Sequence, residues 1–162
     1  MARNSRIVKD TRVWDAMKKN LKAGKHLSVN VGFFDEMYGP ENDNLYVAQV
    51  AKWQEEGTDK IPMRPFIRAG FMIKNIEKME WLTPQVKGMI SAVALGQMSW
   101  NQLYQKLGPV FVHIMQKEIE LWHIPMNAPM TIDLKGGINN PLIDTGKMLD
   151  SVEYRVSSTN DL

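Results

Sequence analysis

Near the end of this 162-residue chain, Asp144-Thr145-Gly146 follows Pro141-Leu142-Ile143. An aspartate in that tripeptide, behind apolar residues, is how aspartic proteases present their catalytic carboxylate. That chemistry needs a second aspartate close by, so that the pair shares one proton and divides the roles of acid and base. Here Lys147 follows Gly146 where those enzymes carry a small residue, and only sixteen residues lie beyond Gly146. The chain also reads as helix-rich where such enzymes are nearly all β. The simpler expectation is that Asp144 or Thr145 caps a short helix by accepting from its free N–H groups, with Gly146 relieving local strain.

Other reactive residue types do not converge. His113 and His123 stand ten apart, roughly 80° off a shared helical face, and His26 lies far away near a strand. A zinc site needs three or four converging ligands, and no carboxylate completes one here. Cysteine is absent, which excludes disulfides, thiolate metal sites and cysteine nucleophiles. Glu55-Glu56 and the pair Glu118 and Glu120 lack an acid or base partner in sequence, and no glycine-rich loop has the spacing of a phosphate cradle. The expectation is no enzyme, no metal and no cofactor.

Two segments read better as binding surfaces. Arg64 and Arg68 flank Pro65-Phe66-Ile67, a stretch that proline stiffens. A stiff segment bearing arginine and an aromatic loses little entropy on docking to a partner. The alternative is that Phe66 enters the chain's own core while the arginines pair with Glu55, Glu56 or Asp59. The second surface is basic. Residues 1–27 carry eight lysines and arginines against two aspartates, a local charge of +6 in a chain whose net charge is +2. Arg12, Lys18, Lys19, Lys22 and Lys25 are its candidate nucleic-acid contacts, against the blander reading of a solvated amphipathic helix.

The elements that position these residues follow from periodicity. Val13, Trp14, Met17 and Leu21 predict a helix from Asp10 to about Lys22, closed by Gly24. Leu27 to Phe33 alternates as a half-buried strand, and residues 35–44 carry turn chemistry. A helix follows from Leu45 to Gln54, with Asn44 as cap and Gly57 as stop. Residues 57–66 are irregular around Pro62 and Pro65, and helical pattern resumes over Ile67–Trp81, with Phe71, Ile73, Ile76 and Met79 on its buried side. Thr83-Pro84 is expected to open the next helix, which runs to about Leu95. Trp100, Leu103, Leu107, Val110 and Ile114 continue an apolar face into Leu121, and Gly108-Pro109 either kinks one helix or separates two. Residues 125–141 form a long loop, Gly146–Asp150 a short helical turn, and Val152, Tyr154 and Val156 a final strand.

The predicted fold class is therefore α+β: a small antiparallel sheet packed against several α-helices, with long loops that order on assembly. The expected organisation is a basic N-terminal helix or arm, residues 1–26, ahead of one α+β domain, residues 27–162. Hydrophobic content of 44% and charged content of 23% suit a soluble globular chain. No apolar stretch reaches the roughly 20 residues of a spanning helix. The N-terminus lacks the apolar core of a signal peptide. Twelve methionines fill irregular core gaps more often than they form a binding face.

Five segments, taken in order, resemble the tail-completion and neck proteins of tailed bacteriophages, the virion-morphogenesis family. They are Glu55-Glu56-Gly57; Ile61-Pro62-Met63-Arg64-Pro65-Phe66-Ile67-Arg68; Asn127-Ala128-Pro129-Met130-Thr131-Ile132; Pro141 to Gly146; and Ser151 to Val156. The likeness spans roughly residues 27–157 and departs at the 35–44 loop and at Lys135 to Asn140. It implies a structural virion protein at the head–tail junction, without catalysis, made in the bacterial cytoplasm. It implies as partners a connector, tail terminator or tail tube, a homo-oligomeric ring (sixfold, as such tails are), weak DNA contact and no membrane. The candidate assembly interface comprises Arg64, Pro65, Phe66, Arg68, Asn127, Pro129, Asp144, Thr145 and Gly146. The alternative function is a nucleic-acid-binding accessory protein that uses the basic arm.

Overall fold

A computed structural model describes residues 11–71 and 80–158. The predicted Ile73, Ile76 and Met79 positions, and the arm before Thr11, lie outside the described residues. The described elements run α1 (Arg12–Lys22), β1 (Leu27–Gly32), α2 (Val47–Glu56), α3 (Phe66–Phe71), α4 (Leu82–Ala94), α5 (Trp100–Leu121), α6 (Pro129–Leu134), α7 (Lys147–Asp150) and β2 (Glu153–Ser158). The fold is α+β. Among the described residues no helix is long and apolar enough to cross a membrane.

The sheet is one antiparallel pair, β1 against β2, in the register Val29↔Val156 and Val31↔Tyr154. Alternation places those four side chains on one face, which packs against α5. Polar partners occupy the other face: the Ser28 and Ser157 hydroxyls lie 3.1 Å apart, and Asn30 Nδ2 donates to Ser157 Oγ at 2.8 Å.

Helix α5 joins two hydrophobic clusters. Leu103 and Leu107 meet Leu82 and Val93 of α4 in one, and Met115 and Ile119 meet Val47, Ala51, Phe66, Leu142, Met148 and Val152 in the other. These i, i+4 pairs on a single face are what the apolar spacing demands. A capping box starts the helix: Gln102 N–H donates to Ser99 Oγ at 3.1 Å, and Ser99 N–H donates to Gln102 Oε1 at 2.8 Å.

Gly108-Pro109 does not separate two helices; α5 runs through it. Proline removes the N–H that would reach the carbonyl of Gln105. The Tyr154 hydroxyl lies 3.4 Å from that carbonyl oxygen and donates to Gln105 Oε1 at 2.9 Å. A Cβ on Gly108 would fall 2.1 Å from the Tyr154 ring. The dipeptide thus forms the slot in which β2 docks.

Four local expectations change. Asn44 does not cap α2; it adopts φ 52° in the turn before it, and Tyr46 takes the cap position. Thr83 lies inside α4, whose cap position is Trp81. Ala23 rather than Gly24 takes the C-cap position of α1, and Gly24 is a point of close approach, where an added Cβ would sit 2.3 Å from the Trp100 indole. The 125–141 loop contains the short helix α6.

Candidate functional site

Three loops converge on one cleft of about 630 Å³. The first is the 35–46 turn, closed by Tyr38 N–H donating to Leu45 O at 2.9 Å and Val47 N–H donating to Glu36 O at 2.9 Å. The second is the proline-bracketed segment after Gly57, where φ 77° lets the chain leave α2. The third runs from Met126 to Met148 and includes α6 and the start of α7.

Asn140 orders the third loop. Its Nδ2 donates to Ile119 O at 3.0 Å and Glu120 O at 2.8 Å, satisfying carbonyls that the end of α5 leaves free. Its Oδ1 accepts from Leu142 N–H at 2.8 Å and Ile143 N–H at 3.1 Å. Lys135 Nζ adds donations to Ile143 O at 2.7 Å and Asn140 O at 3.3 Å, and Asn127 Nδ2 donates to Asn140 O at 3.3 Å. The Lys135-to-Asn140 run, which departs from the resembled pattern, is what ties the Asn127 and Pro141 segments together.

Asp144-Thr145-Gly146 forms the turn into α7. Gly146 takes φ 83°, and Lys147 N–H donates to Thr145 Oγ1 at 3.3 Å, so threonine rather than aspartate supports the helix start. Asp144 is exposed at the cleft, where its charge acts on two neighbours. Burial, and then Asp144, raises the Tyr38 phenol above its ordinary value. Burial lowers the Lys135 ammonium, Asp144 opposes that shift, and Arg64 adds to it.

Arg64 is 5% exposed. Its backbone N–H donates to Gln54 O at 2.7 Å, its Nε donates to Pro125 O at 3.2 Å, and its Nη1 donates to Gln54 Oε1. Burial lowers its pKa from the usual value. Phe66 is wholly buried, edge-on to Phe33 with ring centroids 6.4 Å apart. Phe66 takes the alternative reading and enters the core, while Arg64 is buried at the cleft and bonds Gln54 and Pro125 rather than Glu55, Glu56 or Asp59. Phe66 belongs to the chain's own core, because α3 buries one face against α5, with Ile67 packed beside Phe66 and Phe71 edge-on to Phe111.

Arg68 takes the ion-pair alternative, its Nε donating to Glu55 Oε1 at 2.9 Å. Glu55, 8% exposed, also accepts from Ile67 N–H at 2.8 Å and Arg68 N–H at 3.2 Å. A carboxylate from α2 thereby caps α3, where the helix dipole favours negative charge.

Of the nine candidate interface residues, Arg64, Asn127, Asp144, Thr145 and Gly146 line the cleft; Pro65, Phe66, Arg68 and Pro129 do not. Sequence reading missed Tyr38, Gln54, Lys135 and Asn140. Asn140 left a usable signal, an amide directly before a Pro-Leu-Ile turn; the others depend on tertiary approach.

The described part of the basic arm is docked. Asn20 Nδ2 donates to Ala94 O at 3.1 Å, and Trp100 Nε1 donates to Asn20 O at 2.9 Å. Arg12, Lys18, Lys19, Lys22 and Lys25 are exposed, with Lys18 at 3.3 Å from Asp15 and its Nζ 5.5 Å from the Trp14 ring centroid. Val13 and Trp14, on the predicted apolar face, are exposed too.

Among the described residues no group of three or more His, Asp and Glu side chains is placed to hold a metal ion. No family model matches the chain, and neither a curated protein nor a solved structure matches it.

Proposed function

We propose that this chain is a structural protein of the head–tail junction of a tailed bacteriophage, joining or completing the tail without catalysis. The observation that carries the reading is an unburied apolar run beside the cleft. Leu121, Ile124, Met126, Met130, Leu134 and Ile138 are all exposed, Met130 to 75% and Leu134 to 83%. Helix α6 buries none of its own residues. Six large apolar side chains left exposed within eighteen residues of chain are what a protein contact would cover. The run falls in the same segment as the Asn127 and Pro141 motifs that resemble the virion-morphogenesis family. The reading assigns it to head-to-tail contacts between copies, which close into a ring when the rotation between neighbours divides the circle.

The test is electron microscopy of lysates from a phage encoding this chain with an early stop codon in its gene. DNA-filled heads beside detached tails support a joining or completion role, and overlong tails support the variant in which the chain ends tail growth. Intact, infectious particles overturn the reading and favour the nucleic-acid-binding alternative.

A further inference from the structure

Arg64 stands apart from Arg68 and Arg155. Those two pair with carboxylates, Arg68 with Glu55 at 2.9 Å and Arg155 with Asp35 at 2.7 Å. Arg64, far more buried than either, has only neutral acceptors, Gln54 Oε1 and Pro125 O, and no carboxylate partner among the described residues. A guanidinium out of water needs a counter-charge to offset its desolvation. It has five N–H donors in a planar fork, and these two side-chain bonds engage two of them, leaving three to meet an oxyanion. Arg64 lines the cleft together with Lys60, Lys135 and Lys147, against Asp144 alone among the acids.

We infer that this cleft is a receptor for a carboxylate side chain carried on an apolar segment of another protein, with Arg64 as its anchor. The charge of the ligand follows from what the cations already hold. Lys147 pairs with Glu36 at 2.6 Å, and Lys135, beside Asp144, donates to two carbonyls. Arg64 is thus the buried cation left to match, and a ligand with one negative charge matches it. Its apolar character follows from the walls, where Ile61, Pro62, Met126 and Leu142 stand around the cations. The volume, about 630 Å³, is far more than one carboxylate fills and lies within the range of ligand pockets. The cleft borders the exposed run and shares Met126 with it, but the inference rests on Arg64 and does not depend on the junction reading.

The test is a titration of the purified full chain, followed by amide and arginine Nε NMR shifts. Three probes are used: Ac-Leu-Glu-Leu-NH2, its glutamine counterpart and its phosphoserine counterpart. The glutamate peptide should shift the Arg64 Nε and Leu142 signals and bind at least tenfold more tightly than the other two. Equal binding of the glutamate and glutamine peptides, tighter binding of the phosphoserine peptide, or no binding at all would overturn the assignment. Arg64→Gln should abolish the preference. As that variant removes a buried group, Ala128→Trp at the exposed rim provides the second arm. It should leave the spectrum folded and block the glutamate peptide, and unchanged binding there would equally overturn the inference. Each result is read on isolated protein, so it stands apart from the phage phenotype.

Discussion

At the scale of single residues, burial sets what each side chain does. Phe66 fills the cluster between α2, α5 and α7, so Phe66→Ala should cost about 3–5 kcal/mol, as removal of a buried aromatic does. The urea midpoint should fall with little change in slope, and a loss below about 1 kcal/mol would contradict the assignment of Phe66 to the core. A variant combining it with Arg64→Ala therefore reports on folding, and is unsuited to testing an interface. Glu55→Gln should cost about 1.5–3 kcal/mol, because charge-assisted bonds to Arg68 and to the start of α3 are lost.

Tyr38 gives a pH signature of defined sign. Its folded-state pKa is raised above 10.0, first by burial and then by Asp144. The protonated phenol is thus favoured in the folded chain, a contribution complete below pH 10.0 and lost as pH rises through the folded value. Wild type should lose stability relative to Tyr38→Phe only above about pH 10, in denaturation midpoints measured across the alkaline range. A constant difference between the two proteins would contradict that.

At the scale of elements, the sheet holds to α5 through Gly108 and Tyr154. Gly108→Ala puts a Cβ into the Tyr154 ring and should loosen β1 and β2 from the helix. Faster hydrogen exchange of the Val29 and Val156 amides measures this, and Tyr154→Ala should recover much of the loss because the collision partner is gone. Additive effects of the two substitutions would show that the contact is not the cause. Helix α1 raises a related point about the basic arm. Its Asn20 holds Trp100, so truncating residues 1–25 strips a packing partner along with the charges. Lys18→Glu with Lys22→Glu tests DNA contact better, since both lysines are exposed. A nucleic-acid role requires salt-sensitive affinity that this pair of reversals weakens.

At the scale of the whole molecule, the exposed run of α6 separates folding from assembly. Met130→Glu with Leu134→Lys should change monomer stability by no more than about 0.5 kcal/mol per site, as exposed substitutions usually do. The same pair should reduce self-association by light scattering and incorporation into particles. Normal yields of infectious particles from it would count against the apolar run as the assembly contact.

Much of the element order was legible because it depends on short-range physics. Strand alternation in Leu27 to Phe33, the i, i+4 spacing of Leu103 and Leu107, the breaks at Pro62 and Pro65, and the Gly146 turn each express a backbone preference of a few neighbouring residues. Thr83 and Asn44 misled because each has the chemistry of a cap, and the neighbouring chain decided the helix start. Ser99 to Gln102 carried a capping box that the sequence displays openly.

What the sequence by itself determined is the α+β class, the two strands and the helical faces, since periodicity and turn chemistry act within one or two turns of chain. Only the tertiary structure decided that Gly24 and Gly108 are sites of close approach, that Glu55 caps another helix, and that Arg64 lies buried without a carboxylate partner among the described residues. It also decided that segments some sixty residues apart wall one cleft, as Arg64 and Met126 do, with Arg64 bonded to the Pro125 carbonyl behind it. Those facts depend on which surfaces meet, and a meeting across that separation leaves no spacing in the chain.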